Sequence, residues 1–416
     1  MSSILAIANA AQLICVARHG QPVKTGPRQS ELTWIADGGA LIADGRIQWL
    51  GPTAEMAALP PGATLIDARN RIVLPGLIDS HTHLVFAGTR CDEFDQRLAG
   101  GSYQEIASRG GGIHATVRHT RAASKAELKE LTLLRLERML KLGITTVEIK
   151  SGYGLTLHDE LKCLEVVREL QSEQPCELVP TFMGAHETPV EYRHRRGEYL
   201  RLLCEQMIPT VAERRLAEFC DVFCEEGVFT VEESELVLTA AQRHGLGRKV
   251  HADEFTALCG AELAARMGAV SADHLLKVTD AGIAALRESG TVGTLLPGTA
   301  FFLGLPYAPA RRLIDAGVPV ALATDANPGS CMTENLWLIG TMACTQMKML
   351  SAEVLTALTL NAAAALGRSD RLGSLEVGKQ ADLIICDVPD YRELFYHFGI
   401  NHVRTVIKSG HVVVAR

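Results

Sequence analysis

RIVLPGLIDSHTH, residues 71–83, opens as a β-rich run and closes on two histidines one residue apart. Side chains alternate along an extended segment, so His81 and His83 share one side of it and can grip one ion. Working outward, the same unit recurs to about residue 325: a β-rich run, a polar or glycine-containing loop, then an amphipathic helical stretch. The later runs are GITTVEIKSGYG (143–154), ELVPTFMGAH (177–186), CDVFCEEG (220–227), RKVHADEF (248–255), AVSADHL (269–275), TVGTLLPG (291–298) and VPVALATDANPG (318–329). Between them lie stretches such as 124–143, 157–171 and 231–245, with apolar residues at three- and four-residue spacing and Gly near several ends. Eight β/α units in series predict an α/β fold of the (β/α)8 TIM-like barrel type, whose active site lies at the C-terminal ends of the strands.

The flanks read differently. GGALIADGRIQWLGP (38–52) places short β-like runs around Asp44-Gly45, and ADLIICDV (381–388) and VRTVIKSGHVVVA (403–415) are again β-like, the last broken at Ser409-Gly410. The expected division is a small, discontinuous, β-sandwich-like domain of antiparallel sheet from residues 1–69 plus 371–416, with a barrel over 70–370. Helical residues 333–366 would cover the barrel after its eighth strand.

Composition bounds the partners. The chain has 416 residues, 41 Lys plus Arg against 48 Asp plus Glu, a net charge of −7, and 47% hydrophobic residues, enough for a large core. No basic stripe is present, which argues against a nucleic-acid partner. No run reaches the ~20 uninterrupted apolar residues of a membrane helix, and the N-terminus lacks the basic start of a signal peptide. The 11 cysteines form no repeating framework; several, including Cys163, Cys220, Cys224 and Cys344, sit in apolar runs. A reducing, cytoplasmic setting is the expectation.

Five residues stand at the ends of β runs and open onto one barrel mouth: His81, His83, His251, His274 and Asp325. Imidazoles and a carboxylate around an open position are the ligand set of a hydrolytic metal, which acidifies water. Glu254, three residues after His251, can carry protons beside it, as can His274 or Asp325; spacing does not choose among them. The other histidines, 19, 114, 119, 158, 194, 244, 397, 402 and 411, lie mostly in polar helical or terminal segments and read as solvated.

In chain order, PGLIDSHTH, HADEF, SADH and ATDANPGS resemble the metal-dependent amidohydrolase superfamily. SHTHLVFAGTR, EIKSGYGL, FMGAHETP and DANPGS narrow the resemblance to its imidazolonepropionase family. The resemblance implies one zinc or iron ion per subunit on His81, His83, His251 and Asp325. It implies substrate contacts from Arg90, Tyr153, His186, Glu254, Asn327, Gly329 and Ser330, and a homodimer. The activity it implies opens the ring of 4-imidazolone-5-propanoate to N-formimidoyl-L-glutamate, by attack of activated water on the cyclic amide carbonyl. An Arg90 fork suits the propanoate carboxylate, while an ion pair to Asp92 or Glu93 is its competing use. Lys150 ends the second run, the wrong strand for the commonest lysine that bridges two metals, so one metal is expected. The rival within the superfamily is a nucleobase-type aminohydrolase, because His251, Glu254, the sixth-run His and the eighth-run Asp suit deaminases too. A catalytically inactive barrel retained for binding is the rival from another class.

Overall fold

The computed structural model describes residues 4–18, 20–100 and 111–416; His19 lies outside the described residues. In chain order the strands are β1 (Leu5–Val16), β2 (Thr33–Ala43), β3 (Arg46–Pro52), β4 (Thr64–Asp67), β5 (Ile72–Pro75), β6 (Leu77–Asp79), β7 (Ile144–Lys150), β8 (Glu177–Ala185), β9 (Phe219–Cys224), β10 (Gly247–Ala252), β11 (Ser271–His274), β12 (Val292–Leu295), β13 (Val320–Leu322), β14 (Leu383–Cys386), β15 (Val403–Lys408) and β16 (His411–Ala415). They form two eight-stranded sheets.

One sheet runs β6 to β13 in sequence order with all pairs parallel. A parallel bridge from Thr82 to Ala326 draws its first and last strands together just beyond their C-terminal ends. This is the expected barrel, one strand to each expected run. Helices Lys125–Lys141, Leu157–Leu170 and Val231–Arg243 start at Ser124, Thr156 and Thr230, whose side chains accept a bond from the first-turn backbone. Below the barrel, Ala362, Ala363, Ala365 and Leu366 pack against Val179, Phe219, Val292 and Ala321 near the strand starts. The helical tail therefore closes the N-terminal end and leaves the mouth free.

The other sheet has the order β16-β15-β14-β5-β1-β2-β3, with β4 also on β1. Ile7, Leu13, Ile42, Ile47, Leu383, Ile385 and Ile407 meet in one apolar core. Positive φ at Asp44 and Gly45, and at Ser409 and Gly410, gives two-residue hairpin turns where the sequence places them. Two features depart from expectation. The sheet is mixed, because β1 pairs in parallel with β4 and β5. The run 71–83 is also split between sheets: β5 pairs with β1 and β14, while β6 begins the barrel. The switch occurs at Gly76, whose N–H bonds Asp382 of one sheet while the next N–H bonds Gly143 beside the other. A Cβ at Gly76 would overlap the Thr145 side chain, so the crossing requires glycine.

The described cysteines are all free; Cys163, Cys220 and Cys224 are buried as expected, while Cys344 is half-buried. Of the histidines read as solvated, His402 is buried and its ring bonds the His397 carbonyl at 2.9 Å, and His114 is half-buried. A terminal position hid the packing that excludes water from His402. No helix among the described residues is long and apolar enough to cross a membrane.

Candidate active site

Barrel topology brings the strand ends to one mouth. His81 and His83 follow β6, His251 lies in β10, His274 ends β11 and Asp325 follows β13. The first and eighth ends are stitched directly: Asp325 N–H bonds the His81 carbonyl at 3.0 Å and His83 N–H bonds the Ala326 carbonyl at 3.0 Å. His274 and Asp325 hold positive φ of 79° and 55°, a conformation uncommon for residues with a Cβ and concentrated at functional sites.

Four donor atoms converge. His83 Nε2 lies 3.4 Å from His251 Nε2, and Asp325 Oδ1 lies 3.5 Å from Nε2 of both His81 and His83. His81 Nε2 is buried without a hydrogen bond among the described residues. A tetrahedral ion with ligands at ~2.0–2.1 Å has ligand edges of about 3.3–3.4 Å, close to these three separations, and His81, His83 and His251, like His81, His274 and Asp325, bring their ligand atoms within 4.8 Å of one another, so the donors suit a metal. Carboxylates stand behind two of the rings: His81 Nδ1 bonds Asp273 Oδ2 at 2.7 Å, and His251 Nδ1 lies 3.0 Å from Asp221 Oδ2. With Nδ1–H donated to Asp273, the His81 Nε2 lone pair is directed inward, and the Asp221 carboxylate beside His251 Nδ1 favours the same tautomer there. Burial, reinforced by neighbouring cationic groups, holds His81, His83 and His274 well below the usual imidazole pKa, which keeps lone pairs available.

A cavity of about 660 Å³ opens above this cluster. Every residue anticipated for the site except His81 lines it: His83, Arg90, Tyr153, His186, His251, Glu254, His274, Asp325, Asn327, Gly329 and Ser330. His81 lies wholly buried behind them. Glu254 Oε2 is 3.5 Å from His274 Nε2. Burial, with Asp325 and Glu225 adding repulsion, raises the Glu254 carboxyl well above its usual range. Burial likewise pushes Asp325 up to about 6, against a 2.6 Å bond from the Thr299 hydroxyl. A cation at the cluster opposes both shifts.

Around the rim, His186 donates from Nδ1 to the Gly152 carbonyl at 3.0 Å and stacks on His83 with ring centres 5.0 Å apart. Burial and His251 lower its pKa to about 3, so it is neutral with a free Nε2. Burial raises the Tyr153 phenol and keeps it a donor. Arg90 both lines the cavity and pairs with Glu93, through Nε at 2.9 Å and Nη2 at 2.8 Å, leaving Nη1 against Gly329. Asn327 is spent on the loop itself: Oδ1 accepts from the N–H groups of Gly329 and Ser330, and Nδ2 donates to the Asp325 carbonyl and Ser330 Oγ.

Sequence reasoning missed Asp221, Asp273 and Glu160. The last is a fully buried carboxylate that accepts from the N–H groups of Gly152, Gly154 and Leu155 and shapes the Tyr153 loop. The available signal was an acidic residue inside a β run or on an apolar helix face, where burial demands a partner.

Comparison with known proteins agrees with this arrangement. Residues 72–413 match the amidohydrolase family. The chain is 51% identical to an imidazolonepropionase of Brevibacillus brevis, over 98% of this chain and 97% of that one. It is 50% identical to an imidazolonepropionase of Geobacillus kaustophilus, over 99% and 98%. Among solved structures it resembles E. coli guanine deaminase, with TM-score 0.74, 15% identity, and 100% and 99% coverage. It also resembles a zinc-bound adenosine deaminase from Xanthomonas campestris, with TM-score 0.73, 20% identity, and 99% and 93% coverage. At such identities the deaminases share the fold alone, whereas the full-length matches at half identity place this chain in the amidohydrolase family, among the imidazolonepropionases.

Proposed function

We propose that this chain hydrolyses 4-imidazolone-5-propanoate to N-formimidoyl-L-glutamate, adding water across the cyclic amide bond. The observation that carries the reading is one chamber holding both the Arg90 guanidinium and the His/Asp cluster, as a carboxylate-bearing hydrolysable ring requires. In this reading one zinc or iron ion per subunit sits on His81, His83, His251 and Asp325. When bound, it supplies Lewis acidity toward water and the carbonyl oxygen.

The chain's own residues do the rest. Arg90 Nη1, free of Glu93, takes the propanoate carboxylate. Tyr153 donates to the ring carbonyl, and His186 Nε2 accepts from a ring N–H. Glu254 and His274, 3.5 Å apart, form a proton-carrying pair: a proton leaves the attacking water and arrives on the ring nitrogen as the C–N bond breaks. Asp325 stands beside them as a third base, and Asn327, Gly329 and Ser330 form the wall facing the ring. The division into residues 1–69 with 371–416, and 70–370, belongs to the same reading, with β5 extending from the second unit into the sheet of the first. So do a homodimer, a cytoplasmic setting, and the absence of nucleic-acid or membrane partners. A deaminase has no use for a carboxylate clamp at Arg90.

Ultraviolet decay of freshly generated 4-imidazolone-5-propanoate tests the proposal, against a no-enzyme control because the substrate decays spontaneously. Acceleration that yields formimidoylglutamate, disappears with chelator and returns with zinc or iron is the expected result. A folded, metal-loaded sample with no acceleration would remove the substrate and redirect the search to aminated rings, with ammonia release as readout.

A further inference from the structure

Barrel interiors are ordinarily packed by branched apolar side chains. Here Glu148, Lys150, Asp221, Lys249 and Asp273 are all fully buried inside one. The reaction uses none of them directly, and their bonding is uneven. Lys150 Nζ lies 2.7 Å from Asp221 Oδ2, 3.0 Å from Glu148 Oε1 and 3.6 Å from Asp273 Oδ2. Those two aspartate oxygens are the same atoms that face Nδ1 of His251 and His81. Lys249 instead bonds Glu148 Oε2 at 2.8 Å and the Ser80 carbonyl at 3.1 Å.

We propose that Lys150 is a positioning residue for the metal: one ammonium spans the two carboxylates that orient His81 and His251, and so ties two ligands from opposite sides of the barrel into one rigid unit. An ammonium facing the same oxygen as the imidazole opposes rotation of that carboxylate away from the ring. The inference rests on His81 and His251 being ligands. It assigns different roles to two buried lysines of similar burial, which makes one the control for the other.

The experiment measures the rate at which zinc passes from the full-length protein to a chromogenic chelator, with the thermal midpoint of each metal-free variant recorded beside it. Wild type retaining stoichiometric zinc, and His81→Ala losing it, is the condition for the ligand assignment; failure there overturns that assignment and the proposal with it. Lys150→Met is expected to speed zinc loss by roughly 10–100-fold, the range for residues that support metal ligands. Lys249→Met should stay near wild type even where its metal-free midpoint falls equally. Lys150→Met leaves three carboxylates around a missing cation, so Lys150→Met/Glu148→Gln, which removes one charge of each sign, guards against a folding failure. Equal rates of zinc loss for the Lys150 and Lys249 variants overturn the proposal, as does a double variant that cannot fold, which would give Lys150 a folding role instead.

Discussion

Inside the terminal sheet, Ile7, Leu13, Ile42, Ile385 and Ile407 pack on one another, whereas inside the barrel sheet Glu148, Lys150, Lys249, Asp221 and Asp273 do. The sheets have equal strand numbers and opposite interiors. Apolar burial contributes about 25 cal/mol per Å², while a buried ion network rarely improves on an apolar packing of the same volume. The barrel therefore devotes its centre to aiming imidazoles, and draws its stability from its helices, its closed lower end and the sheet beside it. Substitutions in the two interiors should separate activity from stability.

The largest separation belongs to the mouth. His274→Ala should lower turnover by about 10²–10⁴-fold, the usual contribution of a positioned acid or base, with zinc or iron content and thermal midpoint near wild type. Steady-state rates beside metal analysis decide it; unchanged turnover removes His274 from the chemistry. The converse comes from Leu13→Ala in the terminal sheet. Leu13 is fully buried, so the truncation should cost about 2–5 kcal/mol of stability and leave the turnover of the folded fraction unchanged. Urea titration reads the first quantity. A loss of turnover at temperatures where the variant is fully folded would break the comparison by coupling that sheet to the site.

Arg90 sharpens the contrast within the site. Losing one charge-assisted clamp is worth about 1.5–3 kcal/mol, so Arg90→Ala should raise KM by roughly 10–100-fold and move kcat little. Gly329→Ala is the finer probe. Its new Cβ would overlap Arg90 Nη1, turning the guanidinium from the pocket without removing it, and the KM increase should be smaller. An unaltered KM in both variants would return Arg90 to the ion pair with Glu93.

Much of this was legible in the sequence, and what escaped has physical causes. The barrel strands announce themselves because each apolar run is bounded by a loop and followed by a 3.6-period helix, and the ligand candidates because they close those runs. β1 did not: LAIANAAQLICV is buried along most of its length, so no two-residue alternation marks it. Asp221 and Asp273 escaped because their meaning is a cross-barrel distance. Asp273 meets His81 from 192 residues away, and within its own run a lone Asp reads as any polar strand end. The pairing of Arg90 with Glu93 was visible at its three-residue spacing, but sequence offered one arginine two uses; the geometry shows the ion pair and keeps the same side chain in the cavity wall.

The smallest expected effect lies where the two sheets meet, at the barrel's lower end. Glu177 begins β8 and gathers Arg371 through Oε2 at 2.8 Å, Arg368 through Oε1 at 3.1 Å, and Lys408 of the terminal sheet at 4.0 Å. Burial favours the protonated carboxyl, but Arg371, Lys408 and Arg368 outweigh it and hold Glu177 below its usual 4.5. A carboxylate pKa that falls on folding adds stability above the unfolded value and loses it as pH drops through the folded one. Glu177→Gln should therefore lower the thermal midpoint by a constant amount above pH ~4.5, corresponding to about 1 kcal/mol, and the gap to wild type should close in more acidic buffer. Melting curves across that range test the sign. A gap that widened toward low pH would mean that Glu177 is protonated in the folded protein, and that apolar contact rather than charge joins the barrel to the sheet beside it.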